Sequence, residues 1–141
     1  MSQPPEPSPP AARFDLEAIA RAFPGEASTM LLDRYLVDRG ESSARVFRVY
    51  RATPAHFHRH CDEHLYVLSG RGTFWTVDRA TESAFAPGHF LFFGRGTVHA
   101  MPTLLEHPVV FLAIDTPRRH PEDVCFIDTE DGTAASFIKP A

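Results

Sequence analysis

Within nine residues, His56-Phe57-His58-Arg59-His60-Cys61-Asp62-Glu63-His64, the chain places four histidines beside a glutamate, and the apolar run Leu65-Tyr66-Val67-Leu68 follows at once. On an extended strand side chains repeat every second residue, so His56 and His58 share one face and their imidazoles converge. Glu63 can add a carboxylate, and His99, about forty residues later, a further imidazole. Three nitrogens and one oxygen meeting at a point suit one divalent transition metal: iron, manganese, nickel, copper or zinc.

The spacing resembles that of the cupin superfamily. His56-x-His58-x4-Glu63-x6-Gly70 fits the first motif of that family, G-x5-H-x-H-x3-4-E-x6-G, from the first histidine onward, with Tyr50 where the leading glycine would stand. Gly88, Gly96 and His99 fit the second, G-x5-P-x-G-x2-H-x3-N, with Gly94 in place of the proline and Thr103 in place of the asparagine. The departures fall on framework positions of the family, so they bear on loop geometry more than on the metal. What the resemblance implies is a small single-domain cupin of the conserved barrel type: an all-β, double-stranded β-helix or jelly-roll barrel with a metal held by His56, His58, Glu63 and His99.

Length and charge narrow the partners. At 141 residues the chain can bury one sizeable core. A formal net charge of -4 provides no footprint for nucleic acid or an acidic membrane surface. A small-molecule ligand or substrate and a second copy of the chain are the expected partners. The start, Met1-Ser2-Gln3-Pro4-Pro5, lacks the basic and apolar regions of a secretory signal, and a cytoplasmic location is expected. Cys61 and Cys125 are too few to read as a disulfide framework.

Along the chain, residues 1–13 carry five prolines and are expected to form a disordered tail, with a single domain over 14–141. Leu16, Ile19, Ala20 and Phe23 recur at helical steps between a capping Asp15 and the stop Pro24-Gly25, which predicts a short amphipathic helix on the outside of the barrel. Strands are expected over 30–37, 44–50, 65–68, 73–77, 90–93 and 109–114. The closing segment, with Val124, Phe126 and Phe137, can add a strand to its own sheet or to a neighbour's, and an exposed edge there would favour a homodimer.

Strand parity tests the ligand frame. If Glu63 points inward, so do Leu65 and Val67, while His64, Tyr66 and Leu68 face the other way. An alternative frame uses His58-x-His60 with His64 and His99, four histidines and no carboxylate, at the expense of the Glu63-x6-Gly70 spacing. Met101 shares parity with His99 and is a candidate for the pocket wall; most of the strand phenylalanines are expected to be packing. Arg118-Arg119 reads as an exposed, solvated basic pair, with anion binding as the alternative.

On function, the resemblance implies a metal-dependent enzyme of dioxygenase, lyase or isomerase type, in which the metal acts as Lewis acid and template for a small organic substrate. The alternative is a non-catalytic module that uses the metal to bind or sense a small ligand. An acid or base beside the open coordination position would separate the two. His60, Tyr66 and Glu106 are the candidates.

Overall fold

The computed structural model describes residues 9–141, so the first eight residues of the expected tail lie outside the described ones; residues 9–13 are exposed and belong to no helix or strand. The predicted helix is α1, Leu16–Ala22, and the Asp15 carboxylate accepts from Ala18 N at 3.1 Å to cap it. Pro24 ends it by holding the preceding Phe23 in extended backbone.

Nine strands follow, in chain order β1 (Leu31–Asp38), β2 (Ser43–Val49), β3 (Thr53–Phe57), β4 (Asp62–Thr76), β5 (Ser83–Phe85), β6 (Phe90–Phe93), β7 (His99–Thr116), β8 (Cys125–Phe126) and β9 (Ile138–Pro140), with a four-residue helix α2, Ala134–Phe137, before the last. Each of the two long strands serves two walls. The first half of β4 pairs with the second half of β7, and β6 and β2-β1-β9 extend that wall on either side. The second half of β4 pairs with the first half of β7, and β5 and β3-β8 extend the other. The result is the expected double-stranded β-helix.

Parity decides what faces inward. Leu31, Phe47, Val49, Leu65, Val67, Phe111 and Ala113 occupy alternating positions of β1, β2, β4 and β7 and form one buried cluster between the walls. Their even-numbered neighbours Leu32, Val46 and Val110 point outward and are covered by Ile19 and Phe23, which is where α1 packs. Sequence patterning splits 62–76 into two strands; the chain runs through as one, because the interruption at Ser69-Gly70-Arg71 is a set of register shifts against β7. The closing segment pairs with its own chain, β8 with β3 and β9 parallel with β1.

At the shift, Gly70 has φ +83°, and a Cβ there would stand 2.5 Å from the Pro108 carbonyl oxygen and 2.7 Å from Val109 Cα. Both are backbone atoms of the paired strand and cannot step aside. Gly70→Ala is therefore expected to lower stability by about 2 kcal/mol, read as a fall in the urea midpoint; a midpoint equal to the wild type would show that β4 and β7 can separate there without cost.

Candidate metal centre

His56 lies on β3 directly opposite His99 on β7, and His58 follows where β3 ends. All three rings are 3% exposed, so each has exchanged water for protein contacts. The exchange is made at one nitrogen of each ring. Nδ1 of His56 donates to the Pro54 carbonyl at 2.7 Å, Nδ1 of His58 to Asp123 O at 2.6 Å and Nδ1 of His99 to Thr97 O at 2.9 Å. A carbonyl only accepts, so each Nδ1 carries the proton and each Nε2 keeps its lone pair. The three ligand atoms lie within 4.8 Å of one another.

The loops that deliver these rings are fastened together. Gly96, with φ +78°, donates its N–H to His58 O at 2.7 Å, which ties the turn before His99 to the end of β3. Arg59 N and His60 N donate to the Asp123 carboxylate at 2.7 and 2.9 Å, so the segment that receives His58 Nδ1 is itself held.

Glu63 is buried on β4 and adjoins the rings of His58 and His99, outside the cluster that the three histidines form among themselves. Its Oε1 stands 3.1 Å from His58 Nε2 and 3.6 Å from His99 Nε2, while Oε2 accepts from Arg45 Nη2 at 3.2 Å. Two atoms bound to one metal at about 2.1 Å are separated by about 3.0 Å at right angles and about 3.4 Å in a tetrahedron, so these spacings fit a shared cation. Burial would raise the Glu63 carboxyl, but His58, His99 and Arg45 outweigh it and hold it well below the ordinary carboxylate range. Burial pushes His99 down to about 4, with His58 adding to the effect, and pushes His56 well below its ordinary value, with His99 and His58 adding. Neutral His56 and His99 and an ionised Glu63 are in the protonation states that metal binding requires.

Beneath Glu63 lies a cation that the sequence reading missed. Arg45 on β2 grips Asp115 with Nε at 2.8 Å and Nη2 at 3.0 Å, and reaches Asp33 with Nη1 at 3.2 Å. Asp115 stands opposite Glu63 in the register of β4 with β7. The signal was available, since Arg45 has the inward parity of Phe47 and Val49. Burial lowers the Arg45 guanidinium, but Asp115, Asp33 and Glu63 outweigh this and hold it charged.

These side chains line a cavity of about 20 Å³, the room of about one water molecule. Leu31, Phe47, Leu65 and Met101 supply apolar wall, so Met101 lies where its parity places it. Phe93 stacks on His99 with ring centroids 4.0 Å apart. Phe137, delivered by α2, closes the mouth with its ring centroid 4.9 Å from that of His56.

The other candidates lie elsewhere. His60 is exposed in the loop after β3. His64 is on the outer face, its Nδ1 against Ile114 O at 3.1 Å and its ring 5.0 Å from Phe92. Tyr66 is on that same outer face, 43% exposed, and Glu106 pairs with Arg71 at 3.5 Å on the surface. Cys61 is buried, and burial pushes its thiol up to about 12, which leaves it protonated and inert. The basic pair divides: Arg118 forms two bonds to Asp38, at 2.6 and 3.0 Å, whereas Arg119 is 1% exposed and lines the cavity, which corrects the reading of both as solvated.

The comparisons agree with this architecture. A family model for the cupin domain matches residues 47–115, so this part of the chain, which carries His56, His58, Glu63 and His99, is a cupin domain. No curated protein matches it in sequence. Among solved structures it resembles a conserved protein with a double-stranded β-helix domain from Klebsiella pneumoniae, at 15% identity and a TM-score of 0.62 over 77% of this chain and 92% of that one. It also resembles KdgF from Halomonas sp., at 18% identity and TM-score 0.56 over 64% and 81% of the two chains. A third is the Streptomyces nucleoside dehydratase Pac13, at 13% identity and TM-score 0.58 over 75% and 88%. Likeness at these identities extends to the fold.

The depressed His99 makes acid stability a test of the site. Between pH 6.5 and about 4 the unfolded chain takes up a proton at His99 that the folded chain refuses. Stability of the metal-free protein is therefore expected to fall as pH is lowered through that window, by roughly 3 kcal/mol for this group. Urea midpoints at pH 7 and pH 4.5 measure it, and His99→Gln should flatten the dependence.

Proposed function

We propose that the chain is a small metal-dependent cupin in which His56, His58 and His99 hold one divalent transition ion, with Glu63 as the fourth ligand, and that it acts on a small organic molecule. The observation that supports this most directly is the arrangement of three Nε2 lone pairs, each fixed by a carbonyl on the opposite side of its ring, around a cavity that Glu63 also enters. When bound, the ion supplies Lewis acidity and a template for a coordinating ligand. The chain's own residues do the rest. Pro54, Thr97 and Asp123 orient the rings, Arg45 fixes the outer oxygen of Glu63, and Phe93, Met101 and Phe137 exclude water.

Within this reading we favour oxygenase-type chemistry over lyase or isomerase chemistry. The imidazole and carboxyl side chains that line the cavity are the three histidines and Glu63, all assigned to the ligand set; the other polar side chains there are Arg45, Arg119 and Thr53, and His60, Tyr66 and Glu106 do not reach it. Lyases and isomerases need a separate acid or base, whereas a reaction between two coordinated ligands needs none. The same observation supports a second reading, a binding or sensing module that holds a small ligand on its metal without turnover.

Purified protein is expected to carry about one transition ion per chain, measured by elemental analysis. His58→Ala should release most of it from a barrel that stays folded, and Glu63→Gln should weaken or retune binding. His64→Gln should do neither; the opposite ranking would revive the four-histidine frame. With iron loaded, oxygen uptake should require a phenolic, keto-acid or thiol compound and vanish in His99→Ala. Reversible ligand binding without turnover under every metal would assign the binding module.

We further propose a homodimer through the outer face of β6, β4 and β7. Phe90 and Phe92 are 61% and 53% exposed there, beside Tyr66 and Ile114 in register across the three strands. Together they expose roughly 400 Å² of side chain. That is half of what one partner buries in a standard interface, so the contact would extend into the adjoining groove of about 470 Å³ lined by Leu16, Ala20, Leu68 and Pro108. Sedimentation should find a dimer for the wild type and a folded monomer for Phe90→Ser/Phe92→Ser; a monomeric wild type at micromolar concentration would refute it.

A further inference from the structure

Among the described residues, Arg119 is the buried cation whose side-chain hydrogen bonds go only to neutral groups. Arg45 has three carboxylates around it, and the Asp123 carboxylate takes two backbone N–H groups. The guanidinium of Arg119 has only neutral partners. Its Nη1 donates to His120 O at 3.0 Å and to Asp123 O, and its Nε, fully out of solvent, has no partner. The backbone on either side of the side chain is fixed, with Arg119 N donating to Ser43 Oγ at 3.0 Å and Tyr35 Oη donating to Arg119 O at 2.9 Å. The side chain is therefore held in place beside the cavity, where it lines the wall together with His58, Glu63 and His99.

Asp33 reaches the guanidinium only through longer-range attraction, and a buried N–H without an acceptor is unfavourable, so a small anion in the cavity would give Arg119 Nε the acceptor it lacks. We propose that the centre recognises a compact carboxylate or similarly small oxyanion, one oxygen directed to the metal and the charge met by Arg119. This rests on the metal reading above and names the ligand class for that same site. Size follows from the walls: a cavity of about 20 Å³ beside Phe93, Met101 and Phe137 has the room of about one water molecule, so only the smallest oxyanions qualify and a side chain of the wall has to shift to admit one. A guanidinium supplies what such a group requires, a charged planar donor in a dry site, where hydrogen bonds to charge are strongest.

The probe is formate, with formamide as its neutral counterpart of equal size, titrated into cobalt-loaded wild type, Arg119→Gln and Arg119→Lys and followed by the visible absorption of the cobalt. Metal content is measured first in each protein, so a wild type that holds no metal overturns the metal reading, while the present proposal is decided by the titrations. Formate is expected to bind Arg119→Gln about tenfold more weakly than the wild type, with formamide binding unchanged. That selective loss is one a merely structural role for Arg119 would not produce. Arg119→Lys, which keeps the charge and loses the planar Nε–H, should fall between, at about threefold weaker. Equal formate affinity in wild type and Arg119→Gln overturns the proposal, as does equal loss of formate and formamide. Should Arg119→Gln fail to fold or to hold cobalt, Arg119→Lys decides in its place, and wild-type formate affinity there overturns the proposal as well.

Discussion

Arg45 joins four strands through charge. From β2 it reaches Asp33 on β1, Asp115 on β7 and Glu63 on β4, all inside the barrel and all beyond the reach of solvent. Such a cluster is a poor source of stability, since a buried ion pair recovers little more than its own desolvation cost and well-packed apolar residues often do as well. What it does achieve is direction. A lone buried carboxylate would rotate or take up a proton; with one oxygen held by Arg45, Glu63 stays ionised and presents the other to His58 and His99. The position of the Glu63 carboxylate follows from that one guanidinium.

The imidazoles are handled in the opposite way. Burial holds His56 and His99 neutral, and each of the three rings is oriented by a backbone carbonyl instead of a carboxylate. A carbonyl fixes the tautomer without adding a further full charge to a pocket already holding several. The same dryness silences neighbours that would otherwise react: the Cys61 thiol and the Tyr35 hydroxyl, both pushed up to about 12, remain protonated.

Much of this was legible before the structure. The helix follows from its period and the convergence of His56 and His58 from strand alternation, both local properties of the chain, whereas the barrel and the place of His99 came from the family resemblance that the motif spacing carries. Parity also separated Glu63 from His64. Arg45, Asp33 and Asp115 were not recognised, though each sits at an inward position, because the pairing of β1, β2 and β7 that brings them together is non-local. Arg119 was misjudged for a related reason: its loop carries Pro117 and Pro121 and looks like surface, and only the packing of that loop against Ser43 and Tyr35 turns the side chain inward. Phe137 was expected only as part of a strand, whereas it ends a four-residue helix that lies over the metal cavity.

That helix has a kinetic meaning. It is held by its own capping box, by Met30 N donating to Ser136 O at 3.1 Å and by the three-residue pairing of β9 with β1. These are few backbone bonds, with Phe137 and Ile138 in the buried cluster supplying the rest of the attachment, and short elements of this kind open locally more readily than long paired strands. An ion leaving the histidines and a ligand arriving at them would use the same door. Substitutions that loosen α2 should then speed metal loss and ligand entry in proportion, and the chain cannot gain access to its centre without weakening its hold on what sits there.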